Sequence, residues 1–233
     1  MVLRRVDPIP LEKVRAVVFD LDGVLVDSLA AAVRAFEAAY AEVVGPGDAP
    51  SDEFVRHAGR YFPDVLHAMG LPSAMAEPYV RESYRLADTV RAHDGVPHLL
   101  NVLRGMGIRI AVATGRSRER AVWLLDRLNL LPQIDVVVGS DEVRSPKPAP
   151  DIVIEALIRL DVPADAAIMV GGAVADVRSA QAAGVVAAAA VWGESATADL
   201  LAARPDLVLR RPSDVHLLCG VDHRTARIIS LTG

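Results

Sequence analysis

Two aspartates stand two residues apart at the end of an apolar run, in Phe19-Asp20-Leu21-Asp22-Gly23-Val24. If that run is a strand, alternation puts Asp20 and Asp22 on the same side, and Gly23 lets the chain turn sharply behind them. Two converging carboxylates repel unless a cation lies between them, so the pair implies a metal. Farther on, Thr114-Gly115 closes the apolar run Ile110 to Ala113. Lys147 lies in Ser145-Pro146-Lys147-Pro148-Ala149-Pro150, and the only other lysine is Lys13. Prolines on both sides stiffen the backbone around that cation, which suits a positioned charge better than a solvated one.

These residues need a scaffold that brings strand ends together. Short apolar, mostly β-branched runs occur at Val14–Phe19, Ile108–Ala113, Ile134–Val138, Ala166–Val170 and Val185–Val191, with Leu207–Leu209 as a sixth short edge strand. Helical patterns alternate with them at Pro97–Gly105, Arg118–Leu128, Pro150–Leu160 and Val174–Ala183, and Pro212 opens a final helix through Leu218. Strands alternating with helices predict an α/β protein with a Rossmann-like, doubly wound parallel sheet. Between the first two strands only helical patterns are found, at Ser28–Val44, Asp52–Met69 and Ala74–His93. The expected organisation is therefore a core of residues 1–27 and 96–233 with an inserted all-helical cap, residues 28–95. Such an insertion sits over the crevice where open α/β sheets bind ligands.

Composition narrows the function. With 52% apolar residues and a net charge of −5, the 233-residue chain has no electrostatic pull toward nucleic acid. The sequence contains no apolar stretch long enough for a membrane span and no apolar secretory core near its first residues, which excludes a membrane partner. Cys219 is the single cysteine, in an apolar run, so core packing and a reducing, cytoplasmic location are expected.

The motifs together resemble the haloacid dehalogenase superfamily, in its phosphoglycolate phosphatase-like branch with a helical cap after the first strand. The resemblance implies Asp20 as nucleophile, Asp22 as general acid and base, and an aspartyl-phosphate on Asp20 that water then hydrolyses. It implies Thr114 and the N–H of Gly115 as ligands of the phosphate oxygens, and Lys147 as the charge that neutralises Asp20 and the phosphate. Arg116 either assists there or is a surface arginine where the next helix begins. The implied cofactor is Mg²⁺, held by Asp20, the main-chain carbonyl of Asp22, phosphate and waters, with Asp176 helping through water or Lys147. Magnesium is commonly held by one or two carboxylates plus water and phosphate.

The chain departs from the pattern in Gly171-Gly172-Ala173-Val174-Ala175-Asp176. Asp176 matches the second acid of the family's fourth motif, but Gly172 replaces the first. Asp141 and Glu142 are possible substitutes, or else helix caps and surface charges. In the cap, Gly59-Arg60 resembles the substrate-specificity loop, where Arg60 meets a substrate anion or hydroxyl or makes a surface salt bridge. His57, His67 and His93 lack a shared metal-binding spacing and read as structural; Arg81, Tyr84 and Arg85 read as a solvated helix face. Asp27 or Ser28 reads as the cap of the helix that follows.

Gly59-Arg60-Tyr61-Phe62-Pro63-Asp64 and Gly139-Ser140-Asp141-Glu142-Val143, among other strings, resemble the phosphatases associated with 3-amino-5-hydroxybenzoate synthesis in antibiotic pathways. The expected activity is hydrolysis of a small phosphorylated metabolite, on this resemblance a sugar or amino-sugar phosphate. A phosphomutase is the nearest alternative, and Gly172 motivates another, a catalytically weakened metabolite-binding or regulatory homologue.

Overall fold

The computed structural model describes residues 14–193 and 195–219. Its main sheet has six parallel strands: β1 (Ala16–Phe19), β4 (Arg109–Thr114), β5 (Val136–Gly139), β6 (Ala167–Gly171), β7 (Val186–Ala190) and β8 (Leu207–Leu209). Two further strands, β2 (Val26–Asp27) and β3 (Arg91–Ala92), pair antiparallel as a separate ribbon.

The strand order β5-β4-β1-β6-β7-β8 explains where a ligand site forms. The chain builds outward from β1 through β4 to β5, then returns to the opposite flank of β1 with β6. That reversal leaves a crevice at the carboxyl end of β1, flanked by the ends of β4 and β6. The register is tight there: Phe19 lies opposite both Val112 and Val170, and Asp20 N–H still donates to the Val170 carbonyl at 2.9 Å. Asp20 is thus the first residue to leave the sheet.

Alternation along β1 splits the core. Val17 and Phe19 pack with Leu99, Leu100 and Leu103 of α5 (Val96–Gly105) and Leu124 and Leu125 of α6 (Arg118–Arg127). Ala16 and Val18 pack on the other face against α7 (Asp151–Leu160), α8 (Val174–Ala182) and Leu200 of α9 (Thr197–Ala202). Each buried leucine contributes about 2 kcal/mol.

Between β2 and β3 lie α1 (Leu29–Val43), α2 (Ser51–Arg56), α3 (Phe62–Ala68) and α4 (Ala76–Arg85). Their packing is aromatic where the sheet's is aliphatic. Phe36 stacks on Phe54 at 4.5 Å and Phe62 on Tyr79 at 3.7 Å, with Phe54 edge-on to both Phe62 and Tyr79. No helix among the described residues is long and apolar enough to cross a membrane.

Several expectations are corrected. The helix expected over Asp52–Met69 is broken at residues 57–61, because Gly59 turns the chain with φ +77°. The one expected over Ala74–His93 ends at Arg85 and gives way to β3. That strand pairs with β2, both too short to show a period-two pattern. Pro212 opens two successive 3-10 turns rather than one helix, and α9 has no counterpart in the sequence reading. Cys219 is buried among apolar side chains, as expected.

Candidate active site

Lys147 is the centre of the site. Its side chain is fully buried, and its Nζ donates to Asp20 Oδ1 at 2.8 Å and to Asp176 Oδ1 at 2.6 Å. Asp176 enters from the first turn of α8, where its Oδ2 also accepts the Ala173 N–H at 2.9 Å. Gly171 makes that entry possible: a Cβ there would lie 2.1 Å from the Asp176 Cβ. A buried ammonium is costly unless paired, and here the two carboxylates more than offset burial and hold Lys147 protonated well above the usual lysine range.

Asp20 shares this lysine and has an oxygen to spare. Its Oδ2 is buried without a hydrogen-bond partner among the described residues. Burial pushes the Asp20 carboxyl up to about 7, with the Asp176 charge adding to the rise and Lys147 opposing it. An orphaned, electron-rich oxygen is a place for an electrophile or a cation.

Asp22 is held differently. Burial alone would raise its pKa, but Arg116 overrides that and keeps the carboxyl below the usual carboxylate range. Arg116 Nε donates at 2.8 Å to Asp22 Oδ2, its Nη2 at 2.6 Å to Oδ1, and Ser28 Oγ at 2.5 Å to Oδ1. Ser28 occupies the N-cap position of α1, yet makes no side-chain cap hydrogen bond and gives its hydroxyl to Asp22. Of the two roles left open for Arg116, the surface one does not describe it.

Thr114 ends β4, fully buried, and its Oγ1 accepts the Arg116 N–H at 3.2 Å, which leaves the hydroxyl proton for another acceptor. The loop after α2 comes down upon this strand end. A Cβ on Gly115 would lie 2.6 Å from the Arg60 carbonyl oxygen, and one on Gly59 would lie 2.9 Å from the Ala173 Cβ. Only glycines permit backbones this close.

The sequence profile of haloacid dehalogenase-like hydrolases matches residues 14–184. The chain belongs to this family. It is similar to a phosphoglycolate phosphatase of Aquifex aeolicus, 31% identical over 86% of this chain and 94% of that protein. It is also similar to the pyrophosphatase PpaX of Bacillus pumilus, 29% identical over 90% of this chain and 98% of the relative. A hydrolase structure from Pseudomonas syringae superposes with a TM-score of 0.79 at 25% identity, covering 87% of this chain and 97% of the other.

For a haloacid dehalogenase-like hydrolase, the departure is at Gly172. A Cβ there would meet Val24 Cγ2 at 3.1 Å and the Gly23 carbonyl oxygen at 3.3 Å. Asp141 and Glu142 do not stand in for it: Asp141 accepts the Arg118 N–H at 2.7 Å, and Glu142 accepts the Gly139 N–H and pairs with Arg159. Among the described residues no three His, Cys, Asp or Glu side chains converge to hold a metal. The oxygen left without a partner is the orphaned Asp20 Oδ2, a hard donor of the kind Mg²⁺ takes, and the family resemblance implies the Asp22 main-chain carbonyl as a second.

Three contacts of this hydrolase were not anticipated from its sequence. Tyr84, read as solvated, packs edge-on against Trp123 of α6 at 4.8 Å. Arg120 is buried, its guanidinium 5.5 Å from the Tyr79 ring centroid. His57, read as structural, contacts Arg60. The burial of Arg120 is invisible in sequence, whereas the three-residue spacing of His57 and Arg60 across a glycine was a usable signal.

Proposed function

We propose that the chain is a phosphomonoesterase acting on a small phosphorylated metabolite through an aspartyl-phosphate at Asp20. The observation that carries this reading is the buried Asp20 carboxylate, one oxygen fixed by Lys147 and the other without a partner. Asp20 Oδ1 attacks phosphorus while Oδ2 stays free for a cation. The ester P–O bond breaks, and its electron pair goes to the leaving oxygen, which takes a proton from Asp22, a carboxyl kept ionised here by Arg116 and able to carry that proton only once the fork opens. Water then attacks the same phosphorus, gives its proton to Asp22, and returns the bonding pair to Asp20. The proton gained in one turnover is the one donated in the next. Lys147, Thr114 and the Gly115 N–H receive the phosphate charge.

Mg²⁺ fits the donors present: Asp20 Oδ2 and the Asp22 carbonyl would hold it, Asp176 would act through Lys147, and when bound it would draw charge from the phosphate oxygens. Residues 28–95 serve in this reading as a cap that excludes water, and Arg60 meets an anion or hydroxyl on the part of the substrate not transferred. The proposal extends to a sugar or amino-sugar phosphate of antibiotic precursor synthesis in the cytoplasm. What supports the substrate is the likeness of the Gly59–Asp64 and Gly139–Val143 strings; what supports the compartment is the single buried cysteine.

The test is inorganic phosphate release from p-nitrophenyl phosphate, phosphoglycolate, pyrophosphate and a set of sugar phosphates, with and without Mg²⁺. Magnesium-dependent release, absent in Asp20→Asn, is expected. Isomerisation of a sugar phosphate without free phosphate would assign a mutase instead, and binding without turnover would assign a regulatory homologue.

A further inference from the structure

His57 and Arg60 form a closed unit within the loop that lies over the phosphate-binding strand end. His57 is the C-cap residue of α2, Gly59 reverses the chain, and the Arg60 N–H donates back to the His57 carbonyl at 3.3 Å. The side chains repeat this contact, with Arg60 Nη1 and His57 Nδ1 3.0 Å apart. A guanidinium can only donate, so Nδ1 must be the acceptor. The imidazole is therefore neutral, with its proton on Nε2. Burial and the adjacent charges of Arg60 and Arg56, opposed by Glu53, lower the His57 pKa in the direction this tautomer requires.

On the other side of the guanidinium, Arg60 Nε is buried without an acceptor. A desolvated N–H on a charged group is unfavourable until a partner arrives. The Arg60 backbone is already fixed against Gly115, so its side chain is the part left to order. Arginine loses much rotamer freedom when it binds an anion, and a neighbour that holds one Nη in advance removes part of that loss.

We propose that His57 is a positioning residue: by accepting the Arg60 Nη1–H at Nδ1, it presents the rest of the guanidinium to an acceptor, anion or hydroxyl, on the non-transferred part of the substrate, and most strongly to an anion. This rests on the phosphatase reading above and adds to it a residue that touches neither substrate nor phosphorus. An acceptor at that position should therefore set KM for substrates carrying a second anion and leave the chemical step alone.

The experiment compares wild type, His57→Ala and His57→Asn with two probes, phosphoglycolate, which carries a carboxylate besides its phosphate, and p-nitrophenyl phosphate, which does not. His57→Ala should raise KM for phosphoglycolate about tenfold, with kcat within twofold and p-nitrophenyl phosphate kinetics unchanged. His57→Asn, whose Oδ1 can accept the same N–H, should return KM to within about threefold of wild type. In an Arg60→Ala background, His57→Ala should add nothing. Equal effects of Ala and Asn, equal effects on both probes, or additivity with Arg60→Ala would overturn the role of His57 while leaving the phosphatase reading intact. Absence of phosphate release from p-nitrophenyl phosphate by the wild type would overturn both.

Discussion

Arg116 grips Asp22 with two nitrogens across 94 residues of chain, and this pair ties the strand-end turn after β1 to the start of α6. Both side chains are largely shielded, at 15% and 23% exposure. Arg116→Ala should cost about 1–3 kcal/mol of folding stability, since it leaves a desolvated carboxylate without its fork. Asp22 has a folded pKa below its ordinary 3.8, so its contribution is present above about pH 4 and is lost as pH falls below that. Urea midpoints should differ between wild type and variant at pH 7, and the gap should shrink progressively as pH falls below about 4; a constant gap would place the lost energy elsewhere. Arg116→Lys, which cannot fork, should fall between the two.

Asp20 has the opposite linkage. Its folded pKa, about 7, lies above 3.8, so the folded state holds a proton that the unfolded chain has released, and stability falls as pH rises from about 4 to 7. Asp20→Asn mimics the neutral form. It should abolish turnover, and in metal-free buffer its Tm should exceed wild type by roughly 5 °C at pH 8, with the gap closing near pH 4. A trapped phosphoenzyme on any other residue would contradict the assignment of the nucleophile.

Gly172→Asp restores an acid where the family motif has one. Its Cβ would press on Val24, and relieving that contact should cost about 1 kcal/mol of stability. In return, phosphatase activity at limiting Mg²⁺ should rise more than tenfold, and Mg²⁺ should raise Tm more than in wild type. Titrating both rate and Tm with Mg²⁺ checks this; no change in either would mean that the remaining oxygens suffice.

Tyr84 and Trp123 pair across the boundary between α4 and α6, and nearby Arg127 pairs with Asp88 and lies 5.6 Å from the Trp123 ring centroid. None of these touches the Asp20 cluster. Tyr84→Ala should remove about 1 kcal/mol from the contact between α4 and α6 and, if residues 28–95 serve as the proposed cap, raise KM about fivefold with kcat little changed. Trp123 fluorescence, read in a Trp192→Phe background, should shift toward the solvent-exposed value.

The sheet was legible because its strands are short, mostly apolar runs buried on both faces, β-branched in β1 and β5 and alanine-rich in β7, and Asp20, Thr114 and Lys147 because each sits at a strand end or in a stiffened loop. The break at residues 57–61 was not: helix periodicity runs on through Gly59, and only its left-handed backbone against Ala173 stops the helix. The Arg116–Asp22 fork was equally hidden, since a surface arginine and a buried one have the same local sequence. Ser28 followed capping statistics in its position but not in its hydrogen bond.

The ribbon of β2 and β3 pairs Val26 with Ala92, so the chain departs for the helical insertion and comes back at one point. A segment spliced in by such adjacent ends can be lengthened, shortened or exchanged without disturbing the order of the main sheet, because no parallel strand has to be rethreaded. Grafting another helical unit between Asp27 and Arg91 accordingly needs only two junctions, side by side on one ribbon, and the same economy would let natural selection reshape what the enzyme accepts while the carboxylates and lysine beneath stay in place.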